Sequence, residues 1–400
     1  MANSTKARKF EKPRPDFPLF PHATGRWAKK VRRKLHYFGR CADDPKGEAA
    51  LQKWLDEKDD LLAGRTPNRN REGLTVHQLC NAFLAAKDGQ LAAGDIARQS
   101  FIDYRDTCQI ILDRFGKTRL VDDLRPADFE ALRAWLAKRY ATTTLSNEVQ
   151  RIRTTFKYAA DAELIERPVK FGPTFKRPAK RVLRADRQRK GPRMFEAREL
   201  RKLLKGADDQ LRAMILLGIN CGFGNADCGR LPKSALDLRN GWVNFPRPKT
   251  AIERRCKLWP ETIEALRAAL ASRPKPKNPE HRDLVFITKY GGAWYKETSD
   301  NPISNETRKL LDRLNLYRPG LGFYCLRRGF ETIGGDSRDQ IAVDAVMGHS
   351  DASMGAVYRQ RIEDARLQAV AAHVRRWLFR RDSGQLWRPM QPKGQEVARG

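Results

Sequence analysis

The chain has 400 residues, 40% of them hydrophobic, and a formal net charge of +31 at pH 7. That is too long for one ordinary core and apolar enough to fill two or three. So large a positive field points to a polyanionic partner, nucleic acid first and a membrane surface second. No apolar run is long enough to span a bilayer, and the charged first fifteen residues lack a signal-peptide core. The seven cysteines are scattered and none forms Cys-x-x-Cys, which argues against a zinc ribbon and reads as reduced thiols in a cytoplasmic protein.

Residues 1–16 mix Lys, Arg and Pro and read as a disordered basic arm. Residues 17–62 differ. Phe17–Phe20, Arg26–Val31 and Lys34–Gly39 are short aromatic or apolar runs, which predict a three-stranded meander. The helical spacing of Leu51, Trp54, Leu55, Leu61 and Leu62 predicts a helix covering one sheet face. The other face would then carry Arg26, Lys29, Lys30, Arg32, Arg33 and Arg40, either as a β-ribbon entering a DNA groove or as a solvated basic sheet. A polar linker follows at 63–74.

Four helices are predicted over 75–168. Thr75 caps the first, Gly116 ends the second, Pro126 opens the third, and the fourth runs from about Thr144 to Leu164. On the last of these Arg151, Arg153 and Lys157 form either a phosphate-facing or a solvated surface. The stretch 169–193 carries Lys176, Arg177, Lys180, Arg181 and further cations against the single acid Asp186, punctuated by Pro173, Pro178 and Pro192. It reads as an extended basic linker, free to lie along a nucleic-acid backbone or simply solvated.

From about Phe195 the pattern is helical again, with helices expected at 197–204, 211–219, 262–270, 305–314, 321–333, 340–347 and 353–372. Gly241–Phe245 and Arg255–Trp259 predict a hairpin with Lys249 in its loop. The chemistry-bearing stretch lies here: Tyr324-Cys-Leu-Arg327, then Met347-Gly-His349-Ser, then Tyr358. Arginine grips phosphate with a fork of donors, histidine shuttles protons, and tyrosine attacks and holds phosphate covalently.

This order of modules, together with the nine-residue spacing from His349 to Tyr358, resembles the tyrosine recombinases of the phage-integrase family, over residues 17 to 375. Residues 153–168 look like the end of that family's core-binding domain. The resemblance implies a mainly α multidomain fold. It would have an N-terminal small β-ribbon arm domain (17–62), a four-helix, SAM-like core-binding domain (75–168), a linker (169–193), a helical catalytic domain with a small β-sheet (194–380) and a flexible tail (381–400). It implies site-specific cleavage and rejoining of DNA through a 3′-phosphotyrosyl intermediate, with no metal or other cofactor. Tyr358 would be the nucleophile, Arg327 the phosphate clamp, Lys249 the general acid and His349 a hydrogen-bonding assistant. Double-stranded DNA would be the partner, in a homo-oligomer that is a tetramer in synapsis, in the cytoplasm at the nucleoid. The helix after Tyr358, with Leu367, Val370, Val374 and Leu378, resembles the segment by which family members dock onto a neighbour; a core helix within the chain is the other reading.

Two positions depart from the family. Gly224 stands where the first arginine is usual, and Tyr324 stands where a histidine opens the second motif. Losing one donor to a developing oxyanion costs ~10²–10³ in rate, which slows chemistry without necessarily abolishing it. Arg328, Arg230 or Arg254 could stand in. The alternative function is a recombinase-like DNA-binding or regulatory factor that no longer cuts.

Overall fold

A computed structural model describes residues 10–64, 67, 73–296, 301–349, 355 and 358–380, and the side chains of 59 and 63 are left aside. The expected basic arm up to residue 9, most of the 63–74 linker and the 381–400 tail fall outside it. The chain forms two compact units, Met1–Asp186 and Arg187–Gly400.

The first unit holds two separate cores. In one, β1 (Phe20–Pro21), β2 (Arg26–Val31) and β3 (Lys34–Arg40) form an antiparallel sheet. Helix α1 (Glu48–Ala63) packs on it through Trp54 and Leu61 around the fully buried Trp27. Arg32 and Arg33 make the two-residue turn, both at positive φ (48° and 68°), a conformation costing non-glycine residues ~1–2 kcal/mol each. The expected single basic face is corrected here. Successive side chains alternate across a strand, and Lys29 lies on the helix side with its Nζ 5.7 Å from the Trp54 ring centroid, while Lys30 is exposed.

The second core belongs to α2 (Val76–Ala92), α3 (Arg98–Phe115), α4 (Pro126–Arg139) and α5 (Thr142–Asp161). Thr75 and Gln78 close a capping box on α2. Phe115, Phe129 and Phe156 meet edge to face at 5.2–6.1 Å, and Phe171 and Phe175 join them from the segment after α5. The basic linker is not wholly extended. Lys180–Arg189 is a helix, α6, without a buried residue. Helix-forming Lys, Arg, Gln, Leu and Ala run between Pro178 and Gly191, and uninterrupted propensity prevails where no core competes.

The second unit is built around α8 (Asp209–Asn220), capped by Asp208 and buried nearly throughout. Around it stand α7 (Ala197–Gly206), the short α9 (Asn225–Gly229), α10 (Pro260–Ala271), α11 (Pro302–Arg313), α12 (Tyr324–Gly335), α13 (Gln340–Met347) and α14 (Asp364–Phe379). A small antiparallel sheet joins β4 (Leu236–Asp237), β5 (Trp242–Asn244) and β6 (Arg255–Lys257); β4 is too short to carry a periodic signal. Buried Asn220 ties three elements. Its amide donates to Lys257 O at 2.9 Å, and its oxygen accepts from Trp259 N and Thr262 Oγ1 at 2.9 Å each.

The expected continuous helix over 353–372 is also corrected. Residues 359–363 are not helical and α14 begins at Asp364. Tertiary ion pairs fix that start: Arg255 forks Asp364 at 2.8 Å through both nitrogens, and Arg366 forks Asp339 at 2.6 and 2.7 Å. Helix α14 packs within its own unit, burying Leu367, Val370, Ala371, Val374 and Leu378, and Ala371 O accepts from Trp259 Nε1 at 2.8 Å. The core-helix reading therefore describes this structure.

Candidate active site

Helix α12 presents Tyr324 in its first turn and Arg327 three residues later, on a neighbouring part of the same face. Arg327 is 3% exposed. Its Nη1 donates to Gly222 O and its Nη2 to Met347 O, both at 2.6 Å. The guanidinium thus bolts together the turn after α8 and the end of α13. Burial holds its pKa below the ordinary arginine value. The nearby charge of Arg247 pushes the same way, and Asp227 and Tyr324 oppose it.

Gly222 sits at φ 63°, and a Cβ there would lie 2.5 Å from Met347 Sδ. Only glycine lets that carbonyl approach Arg327 so closely.

His349 follows the left-handed Gly348 that ends α13. Its Nδ1 lies 3.3 Å from Asp344 Oδ1 and 3.7 Å from Glu331 Oε2. Gln340 Nε2 donates to Asp344 Oδ1 and Glu331 Oε1 at 3.0 Å each, so the two carboxylates are tied without an ion. Those two acids and His349 offer one ligand atom each within 4.8 Å, the one grouping of metal-ligand type among the described residues.

Lys249 is exposed in the loop between β5 and β6. The same loop carries Arg247, whose Nη1 donates to Gly348 O at 3.1 Å. At its far end Arg254 is buried. Arg254 Nη2 donates to Asp227 Oδ1 at 2.8 Å, its Nε donates to Phe245 O at 3.0 Å, and its guanidinium lies 4.5 Å from the Phe223 ring centroid. Asp227 Oδ2 accepts from Gly224 N at 2.6 Å. A Cβ on Gly348 would lie 2.7 Å from Arg254 Cδ and 3.0 Å from Arg247 Cβ, so the turn before His349 rests on the stems of both arginines.

Gly224 is extended (φ −98°), and a Cβ there would lie 3.3 Å from Asp227 Oδ2 and 3.8 Å from the Tyr324 ring. The two atypical positions, 224 and 324, therefore face each other. Of the stand-ins named from sequence, Arg254 is the one tied to this turn. Arg328 is exposed with its guanidinium 5.7 Å from the Tyr324 ring centroid, and Arg230 stacks on Tyr295 at 3.8 Å.

Tyr358 is 74% exposed and makes no hydrogen bond with another described residue. The next residue, Arg359, lines a cleft of about 670 Å³ together with His349, Asp344, Ile252 and Arg255. The structure thus brings Arg327, the His349 turn and the Lys249 loop together, and leaves the Tyr358 hydroxyl without a hydrogen bond to another described residue. Arg247 was missed by sequence reasoning. Its local signal, a cation two residues before Lys249, is no stronger than dozens of others in so basic a chain.

The nucleic-acid candidates divide. Arg151 is occupied by Asp103 and by Glu148, the latter at 2.6 Å, with Thr107 Oγ1 completing the network to Glu148 at 2.8 Å. Arg153 donates to Phe175 O at 3.2 Å and stacks on Phe171 at 4.5 Å. Both are braced by the protein, because α3 and the 171–175 segment bring acids, a carbonyl and a ring to them. Lys30, Arg32, Arg33, Lys157, Lys176, Arg177, Lys180 and Arg181 are exposed. Arg177 Nε donates to Ser146 Oγ at 2.9 Å, Lys157 pairs with Asp161 at 2.6 Å, and Arg32 lies against Gly64, whose added Cβ would meet its Nη1 at 2.2 Å.

Residues 193–364 match the model of the phage integrase family. That stretch carries the domain of the phage integrase family. Its fold is similar to that of a lambda integrase dimer bound to a COC′ core site, with a TM-score of 0.55 at 15% identity, covering 88% of this chain and 99% of the other. It is similar also to a lambda integrase tetramer bound to a Holliday junction (TM-score 0.53, 13% identity, 86% and 98% covered). A third likeness is to the Tn1549 transposon integrase in complex with circular intermediate DNA (TM-score 0.53, 13% identity, 74% and 98% covered). No curated protein matches this chain in sequence. No helix among its described residues is long and apolar enough to cross a membrane.

Proposed function

We propose that the protein is a site-specific DNA recombinase that cuts and rejoins double-stranded DNA through Tyr358. The Tyr358 hydroxyl gives up its proton to solvent, its oxygen bonds to a backbone phosphorus, the bond from phosphorus to the 5′-oxygen breaks, and a 3′-phosphotyrosyl link is left beside a free 5′-hydroxyl. The link retains a phosphodiester, so rejoining needs no external energy source. Arg327 holds the non-bridging oxygens as charge develops, Lys249 gives the leaving 5′-oxygen its proton, and His349, backed by Asp344 and Glu331, hydrogen-bonds the phosphate or the nucleophile. Tyr324 contributes a hydroxyl donor at the pocket rim. The exposed cations of the first unit and of α6 contact the backbone. The DNA-bound dimers and tetramer among the structural neighbours support a homo-oligomer, tetrameric in synapsis, acting at the nucleoid.

The observation that carries this reading is the placement of Arg327. It is buried on the carbonyls of two segments, one of which leads directly into His349. A second reading, a DNA-binding or regulatory protein that does not cut, is favoured by Gly224 and by the exposure of Tyr358.

The test offers full-length protein a nicked duplex carrying a site it has selected from randomised DNA. A covalent adduct on a denaturing gel, lost in Tyr358→Phe, is the expected result. A site that is bound and never joined to protein establishes the second reading.

A further inference from the structure

We propose that Arg247 grips the attacked phosphate beside Arg327, supplying the pocket's second guanidinium from the β5–β6 loop. This rests on the strand-transfer reading above and deepens it.

The geometry begins at the turn closing α13. Arg327 Nη2 caps Met347 O at 2.6 Å, and Arg247 Nη1 caps the very next carbonyl, Gly348 O, at 3.1 Å. Two guanidinium groups thus meet at two consecutive carbonyls, where the helix dipole favours positive charge. Among the described residues neither has a carboxylate in ion-pair contact. Asp227, whose charge acts on Arg327, is taken by Arg254 at 2.8 Å and by the Gly224 amide at 2.6 Å.

The two forks differ in what they have left. Arg327 has committed both terminal nitrogens to carbonyls. Arg247 is only half buried and makes one side-chain hydrogen bond with the described residues, which engages one of its five donors. Its effect on Arg327 agrees, since among charged neighbours it does most to disfavour the Arg327 cation. Like charges held side by side, with no carboxylate of the described residues in ion-pair contact with either, make a site for an anion with several oxygens on one centre, and a phosphodiester is such an anion.

Position argues against an ordinary solvated arginine. The stem of Arg247 is pressed against the turn, 3.0 Å from where a Gly348 Cβ would stand. It lies two residues before Lys249 on the same loop, so the grip and the proposed acid arrive together. Arg254 does not compete for the phosphate. Its side chain is wholly buried against Asp227 and Phe223, and it acts as a positioning residue that holds the loop to the Gly224 turn.

The experiment scans the selected duplex with an uncharged methylphosphonate placed at each backbone position in turn, measuring affinity for wild type, Arg247→Ala, Arg247→Lys and Arg247→Gln. Glutamine keeps a neutral donor for Gly348 O and guards against misfolding, which thermal melting checks. At one position, loss of the charge should weaken wild-type binding about tenfold or more, the size of a charge-assisted hydrogen bond. That penalty should fall below about threefold in the Ala and Gln variants and persist in part with Lys. A full penalty in Arg247→Ala and Arg247→Gln, or no sensitive position in wild type, overturns the proposal.

Adduct formation is read in parallel and should fall ~10²–10³-fold in Arg247→Ala. An adduct that forms equally well without Arg247 refutes the grip and leaves strand transfer standing. A wild type that forms no adduct, yet shows the Arg247-dependent penalty, refutes strand transfer and leaves the grip standing.

Discussion

Replacing Arg327 by alanine should unfold the second unit more readily, before any question of catalysis arises. Both terminal nitrogens of this side chain end on buried carbonyls at 2.6 Å, those of Gly222 and Met347. Each carbonyl left without its charged donor costs ~1–3 kcal/mol, so the pair comes to about 2–6 kcal/mol. For a unit of this size each kcal/mol lowers the melting temperature by about 2–4 °C, and a middle value of ~4 kcal/mol gives about 8–16 °C. Thermal unfolding of the full chain, followed by near-ultraviolet circular dichroism, reads the shift. Arg327→Lys, which keeps a cation but not the fork, should fall between. Tyr324→Phe, half exposed and without a hydrogen bond to another described residue, serves as the control and should move by no more than about 2 °C. A shift below about 2 °C for Arg327→Ala would refute the bolting role. If the shift is seen, lost activity in that variant cannot be assigned to chemistry alone.

Asp227→Ala should cost about 3–5 kcal/mol in the same melts, because it strands the buried Arg254 guanidinium; a neutral outcome would show that the pair is not a brace. Arg151→Met should destabilise by about 1–3 kcal/mol by leaving the buried Glu148 carboxylate with the Thr107 hydroxyl but no cation, whereas Lys157→Met should stay within about 0.5 kcal/mol, as urea melts of the two variants will show. Asp339 is held below the usual carboxylate range chiefly by its bonds from Arg366, so its stabilising effect is complete above about pH 4 and lost as pH falls through the lowered native value. Asp339→Asn, which still caps α13, should flatten the acid limb of the stability profile, and an unchanged limb would count against this linkage. Six exposed cations, Lys30, Arg33, Lys157, Lys176, Lys180 and Arg181, predict a log–log salt slope for DNA binding near −5 if each meets one phosphate; a flat plot would remove them from the interface.

The sequence made the helices legible wherever one face is apolar. Leu200, Leu203 and Leu204 mark α7, and Thr75 with Gln78 announces α2, because period and caps are local properties. The loop lysine and the His349-to-Tyr358 spacing were legible for the same reason. What escaped depends on partners far along the chain. Arg151 reads as a surface cation until Asp103 is brought to it from 48 residues away. The break before α14 has no proline or glycine to announce it, and comes from Arg255 and Asp339 reaching Asp364 and Arg366. Arg247 escaped because its identity as a site residue is conferred by a single carbonyl 101 positions later.

That carbonyl belongs to Gly348, where loop and helix end are stacked with no room for a methyl group. An alanine at 348 would press on the stem of Arg254 and on the β-carbon of Arg247 at once. Sequences that share this arrangement should therefore keep glycine at 348 wherever 254 is arginine. Those with an arginine in place of Gly224 already have a second guanidinium from that turn, and should be free to vary at 247.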